Sequence, residues 1–169
     1  WAAGFRYNDN AQKALADFYA RKDVMSIGIC NGCQLMGALD LVQSKEDAIY
    51  RMQHNRSGKF ESHFLSVDIM DSPSIMMKPL VGSRLGVWAS NGEGRFELHS
   101  ARQNYQVPMV YSHSTYPANP NGSSYDIAAI CSEDGRHLAL MPHLERSLLP
   151  FNWPHLEEES WKKWAATPW

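Results

Sequence analysis

Two cysteines lie three positions apart in the stretch Ser26–Leu35, SIGICNGCQL, beside two glycines. Four kinds of site place a thiol in such a setting: a metal knuckle, a redox pair, a packed structural thiol and a nucleophile. A metal site needs further ligands, but the remaining cysteine, Cys131, lies in an apolar run and no His-x3-His lies nearby. A redox pair lacks a thioredoxin-like pattern around it. We therefore predict no metal site and disfavour a redox role.

Cys30 follows the apolar run 24–29 and precedes a segment with helical periodicity. A side chain between a buried strand and a helix points into the crevice where α/β proteins bind ligands. The positive end of the helix favours a thiolate there. Gly28 and Gly32 allow a sharp turn with close backbone approach. The pattern predicts a nucleophile elbow at Cys30, with a packing cysteine as the alternative; Cys33 and Cys131 are expected to be structural.

A cysteine nucleophile needs a base, and the base needs an orienting partner. Of the seven histidines, His143 is best placed, because it follows the apolar run HLALMP and Glu145 comes two residues later. Alternate residues of an extended chain project to the same side, so this carboxylate can fix the imidazole tautomer. The alternative is a surface His and Glu in a loop. The other histidines are expected to be exposed: His54, His63, His99, His113, His137 and His155.

The elements that must position these groups follow from hydrophobic periodicity. Apolar spacing predicts a helix over 9–23, a strand buried on both faces over 24–29 and a helix over 33–42, which together favour a parallel α/β sheet. In the second half, alternating runs between turn signals predict further strands. They span 60–70, 84–90, 94–99, 125–131 and 137–142, and 119–122 is a loop. Residues 157–164 are predicted to form a solvated helical turn with Trp161 and Trp164 packed on one side.

Composition bounds the classes of function. At 169 residues with 44% hydrophobic and 20% charged residues, the chain is typical of one globular domain. A formal net charge of −2 gives no excess of positive charge that would indicate binding to nucleic acid or to an anionic membrane. No run of about 18 apolar residues predicts a membrane span, and the N-terminus does not resemble a signal peptide. Three cysteines favour a reducing, cytoplasmic setting.

With these residues assembled, the chain resembles the class I (triad) glutamine amidotransferases. GICNGCQ (28–34) is similar to the family's G-x-C-x-G-x-Q elbow, and HLE (143–145) stands where the family has H-P-E. Five ordered segments narrow the resemblance to the glutaminase domain of a large purine-biosynthetic amidotransferase: CNGCQLM, SGKFES, NGEGR, YPANPNGS and MPHLERS. The resemblance implies a flavodoxin-like α/β fold, with a central, mostly parallel sheet flanked by helices and an antiparallel β portion.

The resemblance also implies catalytic roles. Cys30 would attack the side-chain carboxamide of glutamine and form a γ-glutamyl thioester. His143 would protonate departing ammonia and then activate water, while Glu145 holds His143 in register.

Five further residues are implied to bind the substrate. The backbone N–H of Asn31 would be an oxyanion donor at a helix start. Gln34 would contact bound glutamine. Phe60 and Glu61, from SGKFES, and Glu93 are expected to line the same pocket.

The implied partners are glutamine and a synthetase domain of the same polypeptide, with no nucleic acid and no membrane. Ammonia would pass to that domain, where formylglycinamide ribonucleotide becomes formylglycinamidine ribonucleotide. ATP and Mg²⁺ are expected there, because no phosphate-cradling Gly-rich loop lies in this chain. Two alternatives stay open. One is another thiol hydrolase of this fold, such as a γ-glutamyl hydrolase or a peptidase; the other is a non-catalytic interaction domain that docks through PANPNG and the Trp-rich tail.

The chain departs from the family pattern at three places. Leu144 replaces the usual proline, and Asn91 stands where relatives often have histidine, which removes one polar contact. The family also places a strand and a Gly-rich loop with an oxyanion amide before the first helix. We therefore expect residues 1–169 to be a single glutaminase domain, a C-terminal fragment of a larger enzyme. We also expect the chain to lack the first strands of its own sheet and part of its active site.

Overall fold

The strand–turn–helix unit predicted around Cys30 is present. The computed structural model describes residues 1–42, 48–155 and 165–169, so the predicted helical turn over 157–164 lies outside the described residues. The α-helices within these ranges are α1 (Ala2–Arg6), α2 (Asp9–Ala20) and α3 (Asn31–Ala38). The strands there are β1 (Ser26–Ile29), β2 (Tyr50–Gln53), β3 (Glu61–Ile69), β4 (Arg84–Asn91), β5 (Arg95–Leu98), β6 (Gln106–Tyr111), β7 (Ile127–Cys131) and β8 (His137–Leu140).

Six of these strands form one mixed sheet in the order β1-β8-β7-β6-β3-β4, and β2 pairs with β5 in a separate ribbon. The α/β class and the mixed sheet are as predicted. Within the described residues, however, β1 and β8 are the only parallel pair, and the other pairs are antiparallel. Short connections such as 132–136, between β7 and β8, explain the difference, because parallel neighbours need crossovers of a dozen or more residues.

The core lies on both faces of this sheet. On one face, α3 and the β2–β5 ribbon cover the sheet, and Cys33, Met36, Tyr50 and Phe96 are buried there. On the other face, β3, β4 and β6 pack their apolar side chains around Met109. The structural role predicted for Cys33 and Cys131 is confirmed, since neither residue forms a disulfide and both side chains are fully buried. Burial raises the pKa of Cys33 strongly and that of Cys131 to about 12.

Strand β1 is less buried than its apolar sequence predicts. Among the described strands it pairs only with β8, and Ile27 is 45% exposed. The expectation of a strand buried on both faces is therefore wrong for Ile27.

The expectation that His137 is exposed is also wrong. His137 begins β8, an inner strand, and is buried. Its ring packs against the tilted ring of Tyr19 in α2, with the ring centroids 4.4 Å apart. Its Nδ1 shares a 2.9 Å hydrogen bond with Ser26 Oγ. His63 is half-buried, whereas the other histidines of that group are exposed.

Candidate active site

Cys30 occupies the single residue between β1 and α3, in a backbone conformation that glycine favours. Its φ of 52° and ψ of −104° cost a non-glycine residue about 1–3 kcal/mol. Two hydrogen bonds hold this turn: Cys30 N–H donates to Leu140 O at 2.9 Å, and Gln34 N–H donates to Cys30 O at 3.0 Å. A Cβ on Gly28 would lie 2.7 Å from the Gly32 carbonyl. Glycine at 28 therefore lets β1 pass against the first turn of α3.

His143 reaches the same end of the sheet from β8. Its backbone N–H donates to Trp88 O of β4 at 2.7 Å, which fixes the residue just before the short 3-10 helix Leu144–Arg146. Its Nδ1–H donates to Glu145 Oε1 at 2.5 Å. The opposite ring nitrogen, Nε2, is buried without a hydrogen-bond partner. The carboxylate thus fixes the tautomer and leaves Nε2 available as a base.

Cys30 and His143 line one cavity of about 500 Å³. Cys30 Sγ lies 3.8 Å from Ser90 O, and it is not within hydrogen-bonding geometry of His143 Nε2. Within this cavity, Cys30 is the first cause that raises the pKa of His143 above its ordinary value. Desolvation opposes this rise, and Glu145 adds to it. The cavity therefore places a thiol near an imidazole whose raised pKa favours its protonated form.

Four of the five predicted substrate-binding residues line this cavity: Asn31, Gln34, Phe60 and Glu93. Asn31 begins α3, so its N–H is one of the free amides at a helix start. Gln34 Nε2 donates to the Glu93 backbone carbonyl at 2.9 Å, which ties α3 to the turn after β4. Phe60 is 67% exposed and offers an apolar wall.

Glu61 is not among the residues that line the cavity. Its carboxylate is buried and accepts hydrogen bonds from Ser57 Oγ at 2.5 Å and from His63 Nε2 at 2.6 Å. The bond from Ser57 is the main cause that lowers its pKa, and His63 adds to it. Successive strand residues point to opposite faces, which separates Glu61 from the cavity that its neighbour Phe60 lines.

Three residues that line the cavity were not predicted from the sequence: Ser90, Gly92 and Arg146. Ser90 lies near the end of β4, Gly92 directly follows that strand, and Arg146 contributes a cation beside Glu145, with Nε 3.8 Å from Oε1. Asn91 stays buried in the wall, where its amide oxygen accepts from Asn121 Nδ2 at 2.6 Å. The motifs NGEGR and MPHLERS contain Gly92 and Arg146, and Ser90 directly precedes NGEGR, but only the sheet register brings these residues to Cys30.

The described residues include no group of three His, Cys, Asp or Glu side chains placed to hold a metal ion. None of the helices in the described ranges has the length and apolarity to span a membrane.

An elbow cysteine that shares a cavity with a carboxylate-bonded histidine, on an α/β scaffold, defines a candidate Cys-His-Glu site. The chain belongs to the family described as the CobB/CobQ-like glutamine amidotransferase domain, whose model matches residues 1–169.

Individual relatives have more specific names. The chain is 42% identical over 94% of its length to phosphoribosylformylglycinamidine synthase of Dictyostelium discoideum, covering 13% of that protein. It is 45% identical over its whole length to a probable phosphoribosylformylglycinamidine synthase, chloroplastic/mitochondrial, of Arabidopsis thaliana, again covering 13%. The chain therefore spans about an eighth of the length of these relatives. PurLQS of Thermotoga maritima shares the fold, with a TM-score of 0.68 at 22% identity over 89% of this chain and 65% of that chain.

Proposed function

We propose that this chain hydrolyses glutamine at Cys30 and supplies the ammonia for an ATP-dependent amidation of formylglycinamide ribonucleotide. The observation that carries the proposal is the shared cavity of Cys30 and His143, with Glu145 bonded to the far side of the imidazole. The named relatives support the choice of reaction, since phosphoribosylformylglycinamidine synthase is the name of both.

In the first half-reaction, Cys30 Sγ attacks the side-chain carbonyl carbon of glutamine while its proton moves to His143 Nε2. The carbonyl oxygen becomes an oxyanion beside the N–H of Asn31, at the start of α3. His143 then returns the proton to the leaving nitrogen as the C–N bond breaks. Ammonia departs and a γ-glutamyl thioester remains on Cys30.

In the second half-reaction, His143 Nε2 takes a proton from water, whose oxygen attacks the thioester carbonyl carbon. The C–S bond breaks, Cys30 recovers its proton from His143, and glutamate leaves. Glu145 keeps its bond to Nδ1 through both halves, so that Nε2 alone exchanges protons. Arg146, at the cavity wall, offers a positive charge for the carboxylate of the amino-acid substrate.

The amidation itself needs a synthetase region in the same, longer polypeptide, with ATP and Mg²⁺ bound there. The relatives support this arrangement, because the chain covers 13% of each. We place the enzyme in the cytoplasm, a reducing compartment that suits a free catalytic thiol.

The decisive experiment replaces Cys30 by Ala in the full-length enzyme and measures synthesis with glutamine and with ammonium as nitrogen source. Loss of the glutamine-dependent reaction with retention of the ammonium-dependent reaction is expected. Cys33→Ala is the matched control, because this buried thiol lies in the same motif but outside the cavity, and it should retain both reactions. Equal loss of both reactions in a folded Cys30→Ala enzyme would contradict the proposal.

A trapping experiment separates glutaminase from the other thiol hydrolases of this fold. A diazoketone that mimics glutamine should label Cys30 faster than a peptide-like trap does. The reverse order of labelling would favour a peptidase, and alkylation with the pH profile of a free cysteine would favour a non-catalytic module.

A further inference from the structure

A second cavity, of about 380 Å³, lies beside the first and shares no lining residue with it. The loop between β2 and β3 supplies Arg56, Ser57 and Lys59 to its wall, and the loop between β6 and β7 supplies Ser114, Tyr116 and Gly122. The cavity takes no part in the glutamine chemistry proposed above.

The Arg56 guanidinium distinguishes this cavity, because it has no hydrogen-bond or ion-pair partner among the described residues. Arg56 is the only arginine in the described ranges whose guanidinium makes neither a hydrogen bond nor an ion pair. The other arginines are bonded to carboxylates or backbone carbonyls. Lys59 also lacks an ion-pair partner among the described residues, and no carboxylate lines the cavity. Two free cations at one concave surface suit a dianion such as a phosphate monoester.

The backbone is shaped to hold Arg56 in this place. Arg56 N–H donates to Asn121 O at 3.0 Å, which joins the two loops. The arginine stem then lies along Gly122, where an added Cβ would stand 3.0 Å from Arg56 Cβ and 3.2 Å from Nε. Gly122 also has a φ of +73°, so a side chain at 122 is doubly disfavoured.

The two serines show what else the ligand carries. Ser57 Oγ donates its proton to Glu61, and Ser114 Oγ donates its proton to Asp126 at 2.7 Å. Because both hydroxyl protons are committed, each oxygen can meet a ligand only as an acceptor, and Ser57 Oγ also accepts from the Lys59 N–H at 3.3 Å. Acceptors beside a pair of cations fit a molecule that combines a phosphate with hydroxyl groups.

We propose that this cavity binds a phosphorylated sugar, with the phosphate on Arg56 and Lys59 and sugar hydroxyls donating to Ser57 and Ser114. The same chemistry is present in a free pentose phosphate and in a nucleotide. The inference does not depend on the proposed glutaminase, because it uses none of the residues around Cys30.

The test follows the chemical modification of Arg56 by phenylglyoxal in the full-length protein, mapped by peptide mass spectrometry so that other phosphate sites do not interfere. The probes are ribose 5-phosphate, AMP, inorganic phosphate and ribose, at constant ionic strength. Ribose 5-phosphate at about ten times its Kd should slow modification of Arg56 about tenfold. Arg21, which is exposed and paired with Asp23, should react at an unchanged rate.

Inorganic phosphate should protect only at higher concentration, and ribose should not protect. AMP acting at lower concentration than ribose 5-phosphate would identify a nucleotide as the ligand, and the reverse order a free sugar phosphate; either order supports the site. Absence of protection by both, or equal protection by ribose 5-phosphate and inorganic phosphate, would overturn the proposal.

Variants sharpen the result. Lys59→Gln should raise the half-protecting concentration of ribose 5-phosphate about tenfold, whereas the exposed Lys22→Gln should leave it unchanged. An unchanged value in folded Lys59→Gln would also overturn the proposal. Cys30→Ala should retain full protection, which keeps this test separate from that of the glutaminase.

Discussion

The amide of Cys30 donates a hydrogen bond to the carbonyl of Leu140, the last residue of β8, at 2.9 Å. This bond extends the parallel pairing of β1 and β8 by one residue beyond β1. Because the two strands run in the same direction, their carboxyl ends meet at one edge of the sheet. The chain then needs only three residues after Leu140 to bring His143 to the thiol. Sheet register therefore sets the distance between the candidate nucleophile and its base.

The first prediction concerns the protonation of His143. Its pKa lies above the ordinary value, raised by Cys30 and by both the hydrogen bond and the charge of Glu145, with desolvation opposing. Cys30→Ala and Glu145→Gln should therefore each lower this pKa, as followed by NMR titration of the imidazole carbons. The exposed His99 serves as the internal control in each titration. An unchanged pKa in Cys30→Ala would show that the thiol and the imidazole do not interact.

The same shift fixes a pH dependence of stability. A folded-state pKa above the unfolded value means that protonated His143 stabilises the fold below about pH 6.5. That contribution is lost as the pH rises through the folded-state pKa. In urea unfolding between pH 5.5 and 8, Cys30→Ala should lose part of this dependence.

The second prediction tests the glycine before the elbow. Gly28→Ala places a Cβ 2.7 Å from the Gly32 carbonyl and from Met36 Sδ, so it should lower the free energy of unfolding by about 1–3 kcal/mol. Gly32→Ala is the matched control. A Cβ at 32 meets nothing within 4 Å, and alanine favours the helix by up to about 1 kcal/mol. Equal unfolding midpoints for the two variants in urea would contradict the close approach described here.

The third prediction separates Glu61 from the substrate site. Glu61→Gln removes the charged acceptor of two partly buried hydrogen bonds and should lower the free energy of unfolding at pH 7 by roughly 1–3 kcal/mol. The KM for glutamine should stay unchanged. Gln34→Ala, which frees the Glu93 carbonyl at the cavity, should instead raise that KM several-fold. A higher KM in folded Glu61→Gln would restore the substrate contact expected from the sequence.

The lowered pKa of Glu61 adds a signed test in acid. Its carboxylate stabilises the fold above the unfolded pKa of about 4.3, and this contribution is lost as the pH falls through the lower folded-state value. Acid unfolding of Glu61→Gln should therefore show a weaker pH dependence below pH 5.

The fourth prediction concerns His137, whose pKa is lowered chiefly by burial and also by Arg136, with Asp134 opposing. A lowered folded-state pKa means that stability falls as the pH drops below about 6.5. His137→Phe keeps a ring against Tyr19 and should reduce the loss of stability between pH 7.5 and 5.5. His99→Phe, at an exposed position, should leave it unchanged. An unaltered loss in His137→Phe would assign the pH dependence to other groups.

Local signals explain why the elbow could be predicted from the sequence. An apolar run, two glycines and a helical period all lie within the residues that surround Cys30, and the i, i+2 spacing placed Glu145 beside His143. Strand pairing carries no such local signal. Ser26 and His137 are 111 positions apart, so periodicity could not show that their strands are neighbours or that His137 is buried.

Two strands were missed for identifiable reasons. β2 has the sequence YRMQ, which lacks the apolar alternation of a predicted strand. Its Arg51 instead contacts α3, where the guanidinium donates to Gly37 O at 3.0 Å. β6 contains Pro108, which argues against an inner strand because proline lacks an N–H. The structure accommodates it where the register of β6 against β7 shifts between Gln106 and Met109. A register shift of this kind depends on the partner strand and cannot be read from one segment alone.

The positive φ of Cys30 has a consequence for how this protein can change. Glycine at position 30 would relieve the strained turn. Selection for thermal stability alone would therefore favour replacement of Cys30 by glycine. The residue proposed to attack the substrate is thus one that lowers the stability of the fold relative to glycine. Selection for the proposed reaction, rather than for stability, would explain a cysteine at this position.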